Sequence, residues 1–168
     1  MAKRKVTAVD VPTEALAHHA FDPVHYTDAF HITLATDRPM GMAELAHHLF
    51  GKKESFPIYV GWLLYLRDIL VKPINIKTAS EVNRDIDQGD RATFFELLQE
   101  TENEIVLGED DGHLDFRVSM LKSYDKGQPN LIVTTFVRCH NLVGRIYFAA
   151  IKPFHKRIIM GTMRKALG

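Results

Sequence analysis

From Thr93 onward the chain alternates apolar and polar residues in short segments with very little between them. Residues 93–101 (TFFELLQET), 104–109 (EIVLGE), 112–122 and 130–140 each have the period-2 pattern of a strand. The separators are turn signals: Glu102-Asn103, Asp110-Asp111-Gly112 and Asp125-Lys126-Gly127-Gln128-Pro129. Links this short join only antiparallel neighbours, because a parallel return needs a crossover of a dozen residues or more. The second half is therefore expected to be an antiparallel sheet with one apolar face, and another element must cover that face.

The chain supplies candidates for the cover. Residues 152–167 read as a helix with Pro153 in its first turn. His155, Ile159, Met163 and Ala166 share its apolar side with Met160 and Leu167, while Arg157, Arg164 and Lys165 face water. Residues 27–35 (TDAFHITLA) read as a strand with Phe30, Ile32 and Leu34 on one face. A short helix over 42–50 stops at Gly51. A second, over 57–71, is apolar almost all round and ends at Pro73, so it is buried on several sides or covers a cavity. Residues 77–90 read as a polar loop. Residues 145–151 (RIYFAAI) fit a strand, with Ile146, Phe148 and Ala150 on one side, about as well as a helix.

This order predicts an α+β helix-grip fold. A curved antiparallel sheet of about six strands wraps around a long C-terminal helix, and two short helices after the first strand close one end of a cavity. Residues 1–23 form a partly irregular arm with a helical patch over 13–20, and residues 24–168 form a single domain.

Three stretches carry a family likeness: WLLYLRDILVKPINIKT (62–78), EIVLGEDDGHLDFRVSML (104–121) and VRCHNLVGRIYFAAIKPFHKRIIMGTMRKAL (137–167). They resemble a bacterial family known as a domain of unknown function, related to domains fused to short-chain-dehydrogenase-like proteins. That family is similar to the START-like (SRPBCC) helix-grip superfamily of birch-pollen allergens, polyketide cyclases and lipid-transfer domains. The likeness covers the chain from about Asp28 onward. It implies a fold and a hydrophobic ligand cavity, and it brings no catalytic residues.

Composition narrows the function classes. A lone cysteine, Cys139, excludes an internal disulfide framework and a cysteine-based zinc site. The basic start has no apolar run behind it, and the longest apolar stretch, 58–66, falls far short of the ~20 residues that span a bilayer. A cytoplasmic protein without a transmembrane segment is expected. Net charge is zero, yet no Asp or Glu follows Asp125, while Lys126, Arg138, Arg145, Lys152, Lys156, Arg157, Arg164 and Lys165 do. The plainer reading is neutralisation by the acidic stretch 81–125. The sharper one is a weak contact with an anionic membrane surface. Nucleic acid is not expected, because aromatic and basic residues do not interleave.

Alternation puts His113, Asp115, Arg117 and Ser119 on one side of their strand, with Leu114, Phe116, Val118 and Met120 on the other. The polar row reads first as a solvated face, or as one paired across strands with residues such as Glu96, Thr134 or Arg138. In a groove, Asp115 between His113 and Arg117 would instead bind a polar ligand group. His113-x-Asp115 also matches part of a non-haem iron triad, with His140 or His155 as third ligand. A two-residue match in a chain with nine histidines is what chance supplies, so no metal is expected. Cys139, among apolar neighbours, reads as inert. No nucleophile elbow or phosphate loop is present, so no cofactor is expected.

The leading expectation is a binding module for a small apolar or amphipathic molecule. Its walls would come from Trp62, Tyr65, Leu66, Phe116, Val118, Met120, Phe148, Ile159 and Met163, and its anchors would be Arg67 and His155. The alternatives are a cyclase- or hydratase-like enzyme working through His155 or the His113–Asp115 pair, and a non-catalytic interaction subunit. A homodimer stays open.

Overall fold

The computed structural model describes residues 4–36, 39–51 and 93–168. The helix expected over 57–71, with Trp62, Tyr65, Leu66 and Arg67, and the loop expected over 77–90 lie outside the described residues.

The described elements are β1 (Thr7–Ala8), a 3-10 turn (Leu16–His19), β2 (Tyr26–Thr33), α1 (Met42–Phe50), β3 (Glu96–Glu100), β4 (Glu104–Asp110), β5 (Leu114–Asp125), β6 (Gln128–Cys139) and α2 (Leu142–Leu167). The fold is α+β. Its open six-stranded sheet runs β1-β2-β6-β5-β4-β3, and every neighbouring pair is antiparallel. The expected meander is β3 to β6. Its tightest turn has Lys126 at φ 49° and Gly127 at φ 79°, the left-handed pair that matches a two-residue hairpin to strand twist.

One face of the sheet is apolar, as the alternation predicts. Phe30 and Ile32 from β2, Leu131 and Val133 from β6, Val118 and Met120 from β5, and Ile105 and Leu107 from β4 pack together. The second half of α2 lies on them with Ile159, Met163 and Leu167, and α1 closes the end with Leu45, Leu49 and Phe50. Arg157, Arg164 and Lys165 are exposed. Arg164 and Lys165 occupy the last turn of α2, where cations suit the helix dipole. Arg4 donates to the Leu167 carbonyl at 2.8 Å and ties the arm to the same helix end.

Three expectations are corrected. Residues 145–151 are helical: α2 starts at Leu142, not Lys152, and Pro153 sits inside it. Asn141 decides this, since its side chain accepts from the Gly144 amide at 3.0 Å as an N-cap. Pro153 deprives the Ala149 carbonyl of its helical donor. Both residues are exposed, so water can take the donor's place. The sixth strand comes instead from the arm, where Thr7 and Ala8 pair with His31 and Phe30. Finally, β3 starts at Glu96, not Thr93, and the Thr93 side chain folds back to donate to the Phe95 carbonyl.

The arm also covers the far face of the sheet. Ala17 and Phe21 pack on Val106 and Phe136. The polar row of β5 is therefore not the solvated face of the plainer expectation: Asp115 is 4% exposed and Ser119 0%.

Candidate functional site

Two polar groups stand out, one on each face of the sheet. The first lies between β2 and α2. Period 2 carries the inward set of β2 from Ile32 and Phe30 back to Asp28 and Tyr26. Helical spacing carries the inward face of α2 from Met163 and Ile159 back to His155. The two rows meet at their polar ends. Tyr26 donates its hydroxyl to Asp28 Oδ2 at 2.6 Å, and His155 Nδ1 stands 3.0 Å from the same oxygen. The imidazole lies edge-on to the Tyr26 ring at 5.5 Å, and Phe148 closes on Tyr26 at 4.9 Å. Side-chain exposure is 13% for His155 and 14% for Asp28, so the pair is largely shielded from water. Burial, reinforced by the hydrogen bond and charge of Asp28, pushes the Tyr26 phenol well above its ordinary value, and it remains a donor.

Asp28 Oδ1 is buried and has no hydrogen-bond partner among the described residues. The register sets Thr135 directly opposite Asp28, and the buried Thr135 hydroxyl also has no such partner. The Thr162 hydroxyl, two turns after His155 on the inward face of α2, shares that condition. Unsatisfied polar atoms in a closed layer cost about 1–3 kcal/mol each. They therefore mark a place where a polar group from elsewhere would be welcome.

The second group is on the arm side. Arg138, opposite Asp115 in register, reaches Asp115 Oδ2 at 2.7 Å, as cross-strand pairing predicts. His140 Nε2 meets the other oxygen at 2.8 Å, and the Asp111 amide donates to it at 3.2 Å. Burial alone would raise the Asp115 carboxyl. The His140 and Arg138 hydrogen bonds, the His140 charge and the Asp111 amide outweigh burial and hold it below its ordinary value. Phe21 lies between two guanidinium groups, with Arg117 at 4.9 Å and Arg138 at 5.0 Å from its ring centre.

This second group holds the arm on the sheet, and its pH dependence has a definite sign. A carboxyl whose folded pKa lies below its unfolded one contributes stability that is complete above about pH 4 and is lost as pH falls through the folded value. Unfolding titrations should show stability dropping on acidification below about pH 4. In Asp115→Asn that part of the drop should disappear, with a loss of about 2 kcal/mol at neutral pH, the size of hydrogen bonds to a charged group whose partners are partly exposed. Parallel pH curves for the two proteins would contradict this assignment.

His113 does not share a side with Asp115. It precedes β5, its ring stands against Tyr147 of α2 at 5.3 Å, and Nδ1 lies 3.6 Å from Asp111. The reason is local: the Asp111–His113 turn docks under the start of α2. The His140 amide bonds the His113 carbonyl at 2.9 Å, and Asn141 Nδ2 bonds that of Gly112 at 3.0 Å. Among the described residues no three His, Cys, Asp or Glu side chains gather as a metal ion would need. Cys139 is buried with Leu114 and Val137, and burial pushes its thiol up, against a smaller opposite pull from Arg145.

Of the expected pocket residues, Phe116, Val118, Met120, Ile159 and Met163 come together in the main core. Phe148 sits with Leu114, Val137 and Cys139 beside Phe116. His155 joins Tyr26 and Asp28, which sequence reasoning missed. The signal was present, because continuing the Leu34-Ile32-Phe30 alternation two steps back lands on both.

Among the described residues no helix is long and apolar enough to cross a membrane. Neither the curated proteins nor the solved structures contain a match to this chain. A family model does match, over residues 20–162, that is, β2, the meander and most of α2. The chain therefore belongs to the family described as protein of unknown function DUF2867.

Proposed function

We propose that this chain is a helix-grip domain of the START-like kind that binds a small amphipathic molecule between its sheet and α2. The observation that carries the reading is the Tyr26–Asp28–His155 group, joined by hydrogen bonds of 2.6 and 3.0 Å at the edge of a mainly apolar layer. Asp28 Oδ1, without a partner among the described residues, is an acceptor, so the polar end of the ligand brings a donor, a hydroxyl or an amine. Phe148, Phe116 and Leu114 offer its apolar part a surface beside that group.

One observation favours a second reading, acid–base catalysis of the hydratase or cyclase kind. With Nδ1 turned to Asp28, the His155 ring is oriented and its Nε2 has no partner among the described residues. That is how a carboxylate prepares an imidazole to take up a proton.

Native mass spectrometry of gently purified protein tests the binding reading. A small molecule is expected to stay with the wild type and to be reduced at least tenfold in Asp28→Asn and His155→Phe. If nothing is retained and a fluorescent long-chain alcohol does not bind, the reading fails. If a bound molecule is retained but converted by wild type and not by His155→Phe, the catalytic reading takes over.

A further inference from the structure

The first half of α2 turns an apolar side to solvent. Leu142 is 71% exposed, Val143 48%, Ile146 62% and Phe154 41%, and Ala150 is exposed between them. At 3.6 residues per turn these five side chains fall within an arc of roughly 120° and run about 18 Å along the helix. The opposite side of the same stretch carries Phe148 and His155 toward the sheet, and Tyr147, at the border of the exposed arc, stands against His113. This half of the helix thus has two apolar faces, and among the described residues one of them is packed.

On α2 itself the charge beside this face has a single sign. Arg145, Lys152 and Lys156 lie along one flank, and Arg157 stands just beyond Phe154. All four are exposed, and the 26 residues of α2 include no Asp or Glu. A helix with large apolar residues on one side and cations along its border has the composition that lies in the plane of an anionic bilayer surface. Its apolar residues enter the acyl boundary and its cations meet the head groups. A protein partner would need a matching acidic rim around an apolar groove, whereas a bilayer of anionic lipid supplies both layers at any orientation about its normal.

We infer that the Leu142–Phe154 face of α2 docks the protein reversibly on anionic membrane surfaces. The test is independent of the ligand reading, since it changes Leu142, Arg145, Ile146 and Lys156 and none of Tyr26, Asp28 and His155; Lys152, whose ammonium lies 5.6 Å from the centre of the Tyr26 ring, is left in place. The strength is that of a peripheral contact: a few side chains insert, and each exposed cation near the surface contributes about fivefold in partitioning.

The test is co-flotation of the full chain with vesicles of phosphatidylglycerol and, separately, of phosphatidylcholine. Binding is expected to the first and not the second, and to fall several-fold between about 50 and 300 mM salt as the surface charge is screened. Leu142→Ser with Ile146→Ser should weaken it about tenfold or more. Arg145→Gln with Lys156→Gln should weaken it by a similar factor. Circular dichroism and thermal melting should match wild type in both, because all four positions are exposed. Equal binding to both vesicles, no binding to either, or binding that survives the Leu142 and Ile146 changes would each overturn the inference. So would a concentration-dependent dimer abolished by those changes without any vesicle binding, which would make a second copy the occupant of this face.

Discussion

Gly144→Ala is expected to lower the thermal midpoint by roughly 10 °C, the effect of a loss of about 3 kcal/mol in a chain of this size. Gly144 is buried in the first turn of α2, and a Cβ there would fall on the carbonyl oxygen of His113. That oxygen cannot move aside cheaply, since it is backbone and already accepts from the His140 amide at 2.9 Å. The helix start is held from both sides, because Asn141 caps Gly144 at 3.0 Å and reaches the Gly112 carbonyl at 3.0 Å. An added methyl therefore has to lift the helix or push out the turn, and either movement breaks this set of bonds. Val143→Ala, next door and half-exposed, serves as the control and should shift the midpoint by no more than a degree or two. Differential scanning calorimetry of the two variants decides the matter. If both melt with the wild type, α2 does not start against this turn.

Glu104→Ala should be about as damaging, at about 3–4 kcal/mol, and should fail in a different place. Glu104 is 4% exposed. Its two oxygens accept from the Leu16 amide at 2.9 and 3.0 Å, and one also accepts from the Ser119 hydroxyl at 2.6 Å. One carboxylate thus joins the arm to the middle of the sheet. Without it the amide and the hydroxyl lose their acceptor in a closed space, and the cost is that of buried donors to a charged acceptor left unmade. The loss should concentrate in the arm. Hydrogen exchange at the Leu16 amide should accelerate by a hundredfold or more, while the β5–β6 ladder slows down the exchange of its own amides as before. Limited proteolysis should cut within the arm first. Glu104→Gln, which keeps one acceptor oxygen, should lose about half as much. An arm that stays protected in Glu104→Ala would show that Phe21, between Arg117 and Arg138, is enough to hold it.

Much of the fold was legible in the residues. The turn-punctuated alternation of the second half became β3 to β6 in that order, and α1 spans the residues its leucine spacing predicted. Misreadings fell where local signals conflict. Gly144 and Pro153 are turn and start signals in a sequence, and both lie inside α2. Gly144 is there because a backbone carbonyl touches it, Pro153 because the carbonyl it frees faces water. The wet face expected of β5 is covered, because nothing in the alternation of a strand says what another segment will lay over it.

The candidate site was half legible. His155 could be placed on the inward face of its helix from spacing alone, and Asp115 could be matched with Arg138 from the hairpin between them. Neither the meeting of His155 with Asp28, 127 residues earlier, nor that of Glu104 with Leu16, 88 residues earlier, has any local signature. By itself the sequence determined what periodicity and turn chemistry encode over a few residues: which segments are strands or helices and which side of each is apolar. The tertiary structure alone decided which polar residue each apolar face brings to its rim, and which face the arm covers. Those outcomes depend on how the strands line up and where the helix starts, and long-range packing selects both.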